Sequence, residues 1–306
     1  MDREEEKKLR RLRALTYFEP RILAEAIQVL AGQGEGVYPL AGGTDLLVQM
    51  KRGNLRPTTL VNLKRIDGLN RVEERRGQEV SIGPLTSISA IEYSSVIRSR
   101  YPILAEAAGV LGAPSLRNLG TLGGNIGRAS PASDMVPSLI VLRAHVRIEG
   151  PSGEREIPIE EIFIEPGRTI LSRGDLITAI TLAEASPHSG AAYLKLGRRQ
   201  GMDCALVGVA ASLTLVEKTR EVKEARIALS AVAPVPFRAR MAEGVLRSGP
   251  LNETRVQEAA TVAMEESSPI TDMRASAFYR KEMVKVLASR AISRAWAMAE
   301  RGGKNS

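Results

Sequence analysis

Cysteine is almost missing: the 306 residues hold one, Cys204. A single thiol excludes an internal disulfide framework and any iron–sulfur cluster held by this chain alone. In an apolar stretch, Cys204 is expected to be a small core residue. Histidine is nearly as scarce, with only His145 and His188. Neither has partners at ligand spacing, so neither a zinc site nor a Ser-His-Asp triad is expected. Aromatic residues make up 4%, too few for a base-stacking platform, so the net charge of +8 is not taken as a sign of nucleic-acid binding. The cations scatter (Arg10, Arg11, Arg13; Arg71, Arg75, Arg76; Arg198, Arg199; Arg238, Arg240) rather than forming one block. A solvated basic surface, or a docking face for an acidic partner, accounts for them better. No apolar run approaches the ~20 residues a bilayer span needs, and no membrane span is expected. Residues 1–13, MDREEEKKLRRLR, lack the apolar stretch of a signal peptide, so the expected address is cytoplasmic. Any redox chemistry would have to come from a bound organic cofactor.

The chain instead concentrates glycine in two places. Arg117 to Asp134, RNLGTLGGNIGRASPASD, contains Gly120, Gly123, Gly124 and Gly127 and ends just before an apolar run, Met135 to Leu142. Tyr38 to Gly53, YPLAGGTDLLVQMKRG, places Gly42 and Gly43 between an extended run and a helix, Leu46 to Arg52. Thr44 stands where an N-cap would stand. Glycine lets a ligand approach backbone N–H groups closely, and successive N–H groups form an anion-binding concavity. Strand, glycine turn and helix start make a phosphate site. It is neither GxGxxG nor a P-loop. Two such cradles predict one diphosphate ligand held from two sides. The alternative is a basic nucleic-acid- or protein-binding module whose glycine turns are structural.

Along the chain, helices are expected at Pro20 to Leu30, at Ser87 (as cap) to Tyr93 and at Tyr101 to Leu111. Strands are expected at Val37 to Leu40, Thr59 to Leu63 and Asp175 to Leu182. Hairpins are expected around Arg76-Gly77 and around Pro151-Ser152-Gly153. This mixture points to an α+β fold rather than a doubly wound sheet. Glu184 to Gly190 is the expected boundary between two domains. Beyond it come three strands (Ala192 to Gly197, Cys204 to Val216, Glu224 to Ala233). Three helices follow: Ala239 to Ser248, Asn252 to Glu266, and about Arg274 to Ala299. Together they predict one sheet covered on one side by helices.

Three stretches, AGGTDLLVQMK, RNLGTLGGNIGRASPASD and LKLGRRQGMDCALVGVAASL, resemble the flavin-binding medium subunit of molybdenum hydroxylases of the CO dehydrogenase and xanthine dehydrogenase type. They agree in letters, order and spacing. The resemblance implies a charged extension (1–13), a PCMH-type two-subdomain FAD-binding domain (14–185) and a CO dehydrogenase flavoprotein-like C-terminal domain (190–300). The last would be a three-stranded antiparallel sheet covered by helices. It implies FAD in this chain, molybdopterin on a large partner subunit and [2Fe–2S] clusters on a small one. NAD+, a quinone or another acceptor would take the electrons. The single cysteine argues against the 4-hydroxybenzoyl-CoA reductase branch, which carries a cysteine-rich insert.

No catalytic side chain and no metal ligand are expected. Leu40, Ala41, Gly42, Gly43, Thr44, Asp45 and Leu46 are the implied first diphosphate cradle. Thr121, Leu122, Gly123, Gly124 and Asn125 form the second, binding largely through backbone N–H groups. By this logic a side chain at Gly123 would fill space the phosphate needs. Asp134 is either a cofactor contact or the N-cap of the following helix. Lys195 is either a cation beside the isoalloxazine or a strand lysine facing water. Ile177 packs on the cofactor or in the core. Leu111 stands where mammalian xanthine oxidoreductases carry a ring-stacking aromatic.

Overall fold

The computed structural model of the protein describes residues 14–32, 34–75, 79–199, 201–217 and 221–302. The expected charged extension and the Arg76-Gly77 turn lie outside the described residues. Strand β1 (Thr16–Phe18), helix α1 (Leu23–Gly32), strand β2 (Val37–Leu40), helix α2 (Leu46–Lys51) and strand β3 (Thr59–Asn62) build a parallel sheet ordered β1-β3-β2. Parallel neighbours need crossovers, and α2 is the crossover that carries the chain from β2 to β3. The loop between β2 and α2 is the first glycine segment.

The chain continues through β4 (Val72–Glu74) and β5 (Val80–Ile82) into six short helices. These are α3 (Ile88–Tyr93), α4 (Ser95–Arg100), α5 (Pro102–Gly109), α6 (Pro114–Arg117), α7 (Leu122–Gly127) and α8 (Met135–Val141). Then come β6 (His145–Gly150), β7 (Gly153–Pro158), a small hairpin of β8 (Phe163–Glu165) and β9 (Arg168–Thr169), and β10 (Leu176–Leu182). An antiparallel sheet forms in the order β4-β5-β10-β6-β7. Ser87 caps α3, accepting from the N–H of Ala90 at 3.1 Å. Helices α4 and α6 go beyond the expectation. Their signals are nonetheless present: Ser94 accepts from the N–H of Ile97, and Pro114 stands at the first helical position.

The C-terminal half holds β11 (Ser189–Leu196), β12 (Val207–Leu215) and β13 (Val222–Ser230), antiparallel in chain order, as expected. A two-residue strand, β14 (Phe237–Arg238), adds an edge. Helices α9 (Arg240–Arg247), α10 (Glu253–Glu266) and α11 (Ala277–Gly302) follow. Val207, Val209, Ala211 and Leu213 pack in one core with Ala288, Ala291 and Ala295 of α11. Tyr193, Ala210 and Ala228 share another core with Ile140 and Val141 of α8. The sheet is therefore covered on both faces, helices on one and the N-terminal half on the other. This explains why β12 is apolar almost throughout. Cys204 is exposed, contrary to the core placement expected, because β12 begins only at Val207 and the thiol belongs to the preceding loop.

Gly190 shows how tightly α11 lies on the sheet. A Cβ there would sit 2.2 Å from the Ala295 carbonyl oxygen and 2.5 Å from the Ala299 nitrogen. Both contacts are backbone and cannot swing away. Gly190→Ala is expected to destabilise the protein by about 3 kcal/mol, read as a fall in the urea midpoint. An unchanged midpoint would show that the helix can lift without cost.

Among the described residues, no helix is long and apolar enough to cross a membrane. No group of three or more His, Cys, Asp and Glu residues there could hold a metal ion.

Candidate functional site

The first glycine segment is shaped for an anion. Gly43 has φ +73°, a left-handed conformation that favours glycine. Three carbonyls here are occupied: that of Ala41 accepts from Lys64 Nζ at 3.0 Å, that of Gly43 from the N–H of Leu47 at 3.0 Å and that of Asp45 from the N–H of Gln49 at 2.9 Å. The N–H groups of Gly42, Gly43, Thr44 and Asp45 have no hydrogen-bond partner among the described residues. Four successive unpaired donors make a partially positive rim. Thr44 is not the helix cap. Asp45 takes that position, without a side-chain capping bond, and its carboxylate instead pairs with Arg128, Nε to Oδ2 2.7 Å. Both side chains are close to half exposed, so this pair is worth about 1 kcal/mol or less.

The second segment folds differently from the expectation. Thr121 caps α7, its hydroxyl accepting from the N–H of Gly124 at 3.1 Å. The N–H groups of Leu122, Gly123 and Asn125 donate to the carbonyls of Thr86, Pro84 and Thr121. These backbone donors are therefore spent inside the protein, because the stretch is a capped helical turn rather than an open loop. What it can offer a ligand is side chains. Asn125 Oδ1 accepts from Ser133 Oγ at 2.5 Å, which leaves its NH2 group to donate, and Thr121 keeps its hydroxyl proton. The role expected of Gly123 is corrected as well. A Cβ there would meet Pro84 at 2.6 Å, so this glycine serves helix packing. The glycine beside open space is Gly127, where a Cβ meets nothing within 4 Å.

The two segments touch. A Cβ on Gly42 would lie 1.9 Å from the Leu119 carbonyl oxygen, and one on Gly120 would lie 3.6 Å from Thr44 Oγ1. Between them opens a cavity of about 380 Å³. Ala41, Gly42, Gly43, Thr44, Asp45, Leu46, Leu111, Thr121, Gly123, Gly124, Asn125 and Ile177 all line it. So do Tyr38, Pro84, Ile88, Leu116, Gly127, Arg128 and Leu171, which are not among the expected site residues. Leu111 is held through its carbonyl, which accepts from Arg117 Nη1 at 3.2 Å. Arg117 in turn pairs with Glu92 at 2.8 Å in a nearly buried contact. Ile177 sits at a bulge in the β10–β6 ladder, an irregularity that re-aims side chains. Leu40 and Leu122 are buried in the core instead.

Asp134 and Lys195 do not line the cavity; they form a buried pair beside it. Lys195 Nζ is 2.7 Å from Asp134 Oδ2, and the two side chains are 10% and 7% exposed. The ammonium also donates to the Val110 carbonyl at 3.0 Å, next to Leu111. Tyr193 donates its hydroxyl to Asp134 Oδ1 at 2.9 Å. Lys195 thus does not face water. Asp134 stands at the N-cap of α8 without capping it; the hydroxyl of Ser133 accepts from the N–H of Val136 instead. Burial pushes the Asp134 carboxyl above its ordinary value, against the pull of Lys195 and Tyr193. Burial, then the charge of Asp134, push the Tyr193 phenol well above its own, so it remains a donor. Tyr193 was missed, although Tyr-x-Lys in a strand places both side chains on one face.

The fold and the pocket together define a cofactor-binding protein of the α+β class. A family model described as the FAD binding domain in molybdopterin dehydrogenase matches residues 11–184. One described as the CO dehydrogenase flavoprotein C-terminal domain matches residues 192–295. The chain is 34% identical over 281 residues to the carbon monoxide dehydrogenase medium chain of Hydrogenophaga pseudoflava, covering 92% of this chain and 96% of that one. It is 33% identical to the glyceraldehyde dehydrogenase medium chain of Sulfolobus acidocaldarius, covering 90% and 96%. The solved carbon monoxide dehydrogenase from Hydrogenophaga pseudoflava superposes with a TM-score of 0.90 at 33% identity, over 94% of this chain and 99% of that chain. The chain therefore belongs to the FAD-binding medium subunits of the molybdenum hydroxylases and is an oxidoreductase subunit. The alternative of a basic module with purely structural glycine turns gains no support. The pocket suits FAD: one wall carries unpaired N–H donors for a diphosphate, and others carry Leu111, Leu116, Leu171 and Ile177 for apolar surface.

Proposed function

We propose that this chain transfers electrons within a heteromeric, cytoplasmic molybdenum hydroxylase. Electrons arrive from [2Fe–2S] clusters of a small partner subunit and leave to NAD+, a quinone or another acceptor. A molybdopterin-binding large subunit completes the assembly. Residues 14–185 form the FAD-binding domain and residues 190–300 the C-terminal domain that packs against it. FAD, when bound, supplies hydride and one-electron chemistry. The chain's own residues bind and orient it. The N–H groups of Gly42, Gly43, Thr44 and Asp45 hold the diphosphate, and Thr121 and Asn125 add side-chain donors. Leu111 and Ile177 exclude water from the apolar part of the pocket. Lys195, fixed by Asp134 and by the Val110 carbonyl next to Leu111, would supply a cation near the isoalloxazine, where positive charge favours the reduced anionic form.

The observation that carries this reading is the contact of Gly42 with Leu119, which brings two glycine segments, distant in sequence, around one cavity. The relatives described above are named for carbon monoxide and glyceraldehyde. In this reading the medium subunit is common to different oxidations, and the large subunit selects the substrate. The purified chain is expected to be yellow and to release one equivalent of intact FAD on denaturation. Reduced with dithionite under argon, it is expected to be reoxidised by NAD+ or a soluble quinone. A colourless protein that no added FAD can reconstitute would overturn the reading. Reoxidation by oxygen alone would remove both acceptors from it.

A further inference from the structure

Among the described residues, three charged side chains line the cavity: Asp45, Arg128 and Asp175. Asp175 is committed elsewhere, with its carboxylate 2.6 Å from Arg155 Nη2 and accepting from the N–H of Ser172 at 2.8 Å. That leaves Arg128 as the cation among the described residues of the wall. It stands at the C-cap of α7, one residue beyond Gly127, the glycine beside open space. Its guanidinium lodges between two elements. On one side is Asp45, at 2.7 Å. On the other is the β8–β9 turn, where a Cβ on Gly167 would lie 3.2 Å from Nη1. The N–H of Gly167 donates to the Ala129 carbonyl at 2.9 Å, which ties that turn to the backbone next to Arg128. The arginine is thus held against Asp45, whose own N–H is one of the four unpaired donors of the first glycine segment.

A diphosphate carries formal negative charge, while N–H groups supply only partial positive charge. A guanidinium supplies the missing full charge and a planar fork that matches phosphate oxygens. Resting on the assignment of FAD to this pocket, we propose that Arg128 is a further cofactor-binding residue. Its guanidinium, held at the wall by Asp45, pairs with the diphosphate bound by the Gly42–Asp45 N–H groups. Asp45 then acts in two opposed ways: its N–H binds the diphosphate, while its carboxylate competes for Arg128.

The test is titration of the apoprotein with FAD and, separately, with ADP, across a range of salt concentrations. Arg128→Gln is expected to weaken both ligands by about tenfold or more and to flatten the salt dependence. Arg128→Lys is expected to recover part of the loss, since it keeps the charge without the fork. Asp45→Asn, which removes the competing carboxylate, is expected to tighten both. Circular dichroism and melting of each apoprotein establish that the variant is folded. Wild-type affinity and salt dependence in Arg128→Gln would overturn the proposal. So would a loss in Asp45→Asn equal to that in Arg128→Gln, because the bridge rather than the cation would then be what binds. Failure of the wild-type protein to bind FAD would instead overturn the assignment of the cofactor.

Discussion

Gly42→Ala is expected to abolish FAD retention and to lower stability. The added Cβ would sit 1.9 Å from the Leu119 carbonyl oxygen and 3.1 Å from Gly120 Cα. Neither neighbour is the end of a flexible side chain, so relief requires the backbone of residues 119–120 to move away by more than an ångström. That backbone leads into α7, whose cap Thr121 lines the cavity. The two walls would therefore separate, and donors on opposite sides could no longer reach one diphosphate. Overpacking against backbone costs about 3 kcal/mol, and a similar loss in binding would be roughly a hundredfold in Kd. Equilibrium dialysis of FAD and thermal melting of the apoprotein measure the two effects separately. Gly127→Ala is the informative comparison, since its Cβ meets nothing within 4 Å and the apoprotein should melt as wild type does. If Gly42→Ala keeps FAD at wild-type affinity, the contact between the two segments does not shape the pocket.

The second large effect is expected for Lys195→Met. It strips the cation from a carboxylate that is itself almost fully buried. Leaving a buried charge unpaired costs about 3–5 kcal/mol, and the loss should depend on pH with a definite sign. Burial already raises the Asp134 carboxyl above its ordinary 3.8, with Lys195 opposing that rise. A carboxyl with a raised folded value contributes stability that is full below 3.8 and is lost as pH rises through the raised value. Removing Lys195 raises that value further, so the variant goes on losing stability to a higher pH. Wild type and variant should converge in acid and diverge toward neutrality. Urea unfolding across that pH range makes the measurement. Asp134→Asn added to Lys195→Met should restore most of the loss at neutral pH, because no buried charge remains. A gap independent of pH would mean that the lysine contributes packing alone. In the FAD-loaded protein, a lower flavin potential in Lys195→Met would mark a role beside the ring in addition to the structural one.

Local order was legible in the chain because it is encoded locally. Gly42, Gly43 and Gly53 punctuate a strand–turn–helix unit, Ser87 and Asn252 announce their helices, and Pro151-Ser152-Gly153 marks a hairpin. The apolar β12 and the long α11 identified the second half. Scarce cysteine and histidine pointed to chemistry borrowed from a bound organic molecule, since side chains that are not there cannot act. What could not be read was who touches whom. Gly123 and Gly127 look alike in the sequence, yet one packs on Pro84 and the other faces open space. The difference lies in a residue far along the chain. The second glycine segment resembled a loop because its helix is short and glycine-rich; only its packing, with Leu122 and Ile126 fully buried, makes it helical. Thr44 fits a cap by propensity, yet Asp45 holds that position, and its carboxylate is taken by Arg128, which follows α7. Composition and spacing determined that the chain has two glycine cradles suited to a diphosphate and few side chains for chemistry of its own. Tertiary structure decided which backbone groups stay free to hold a diphosphate, because a hydrogen bond already made inside the protein is not available to a ligand.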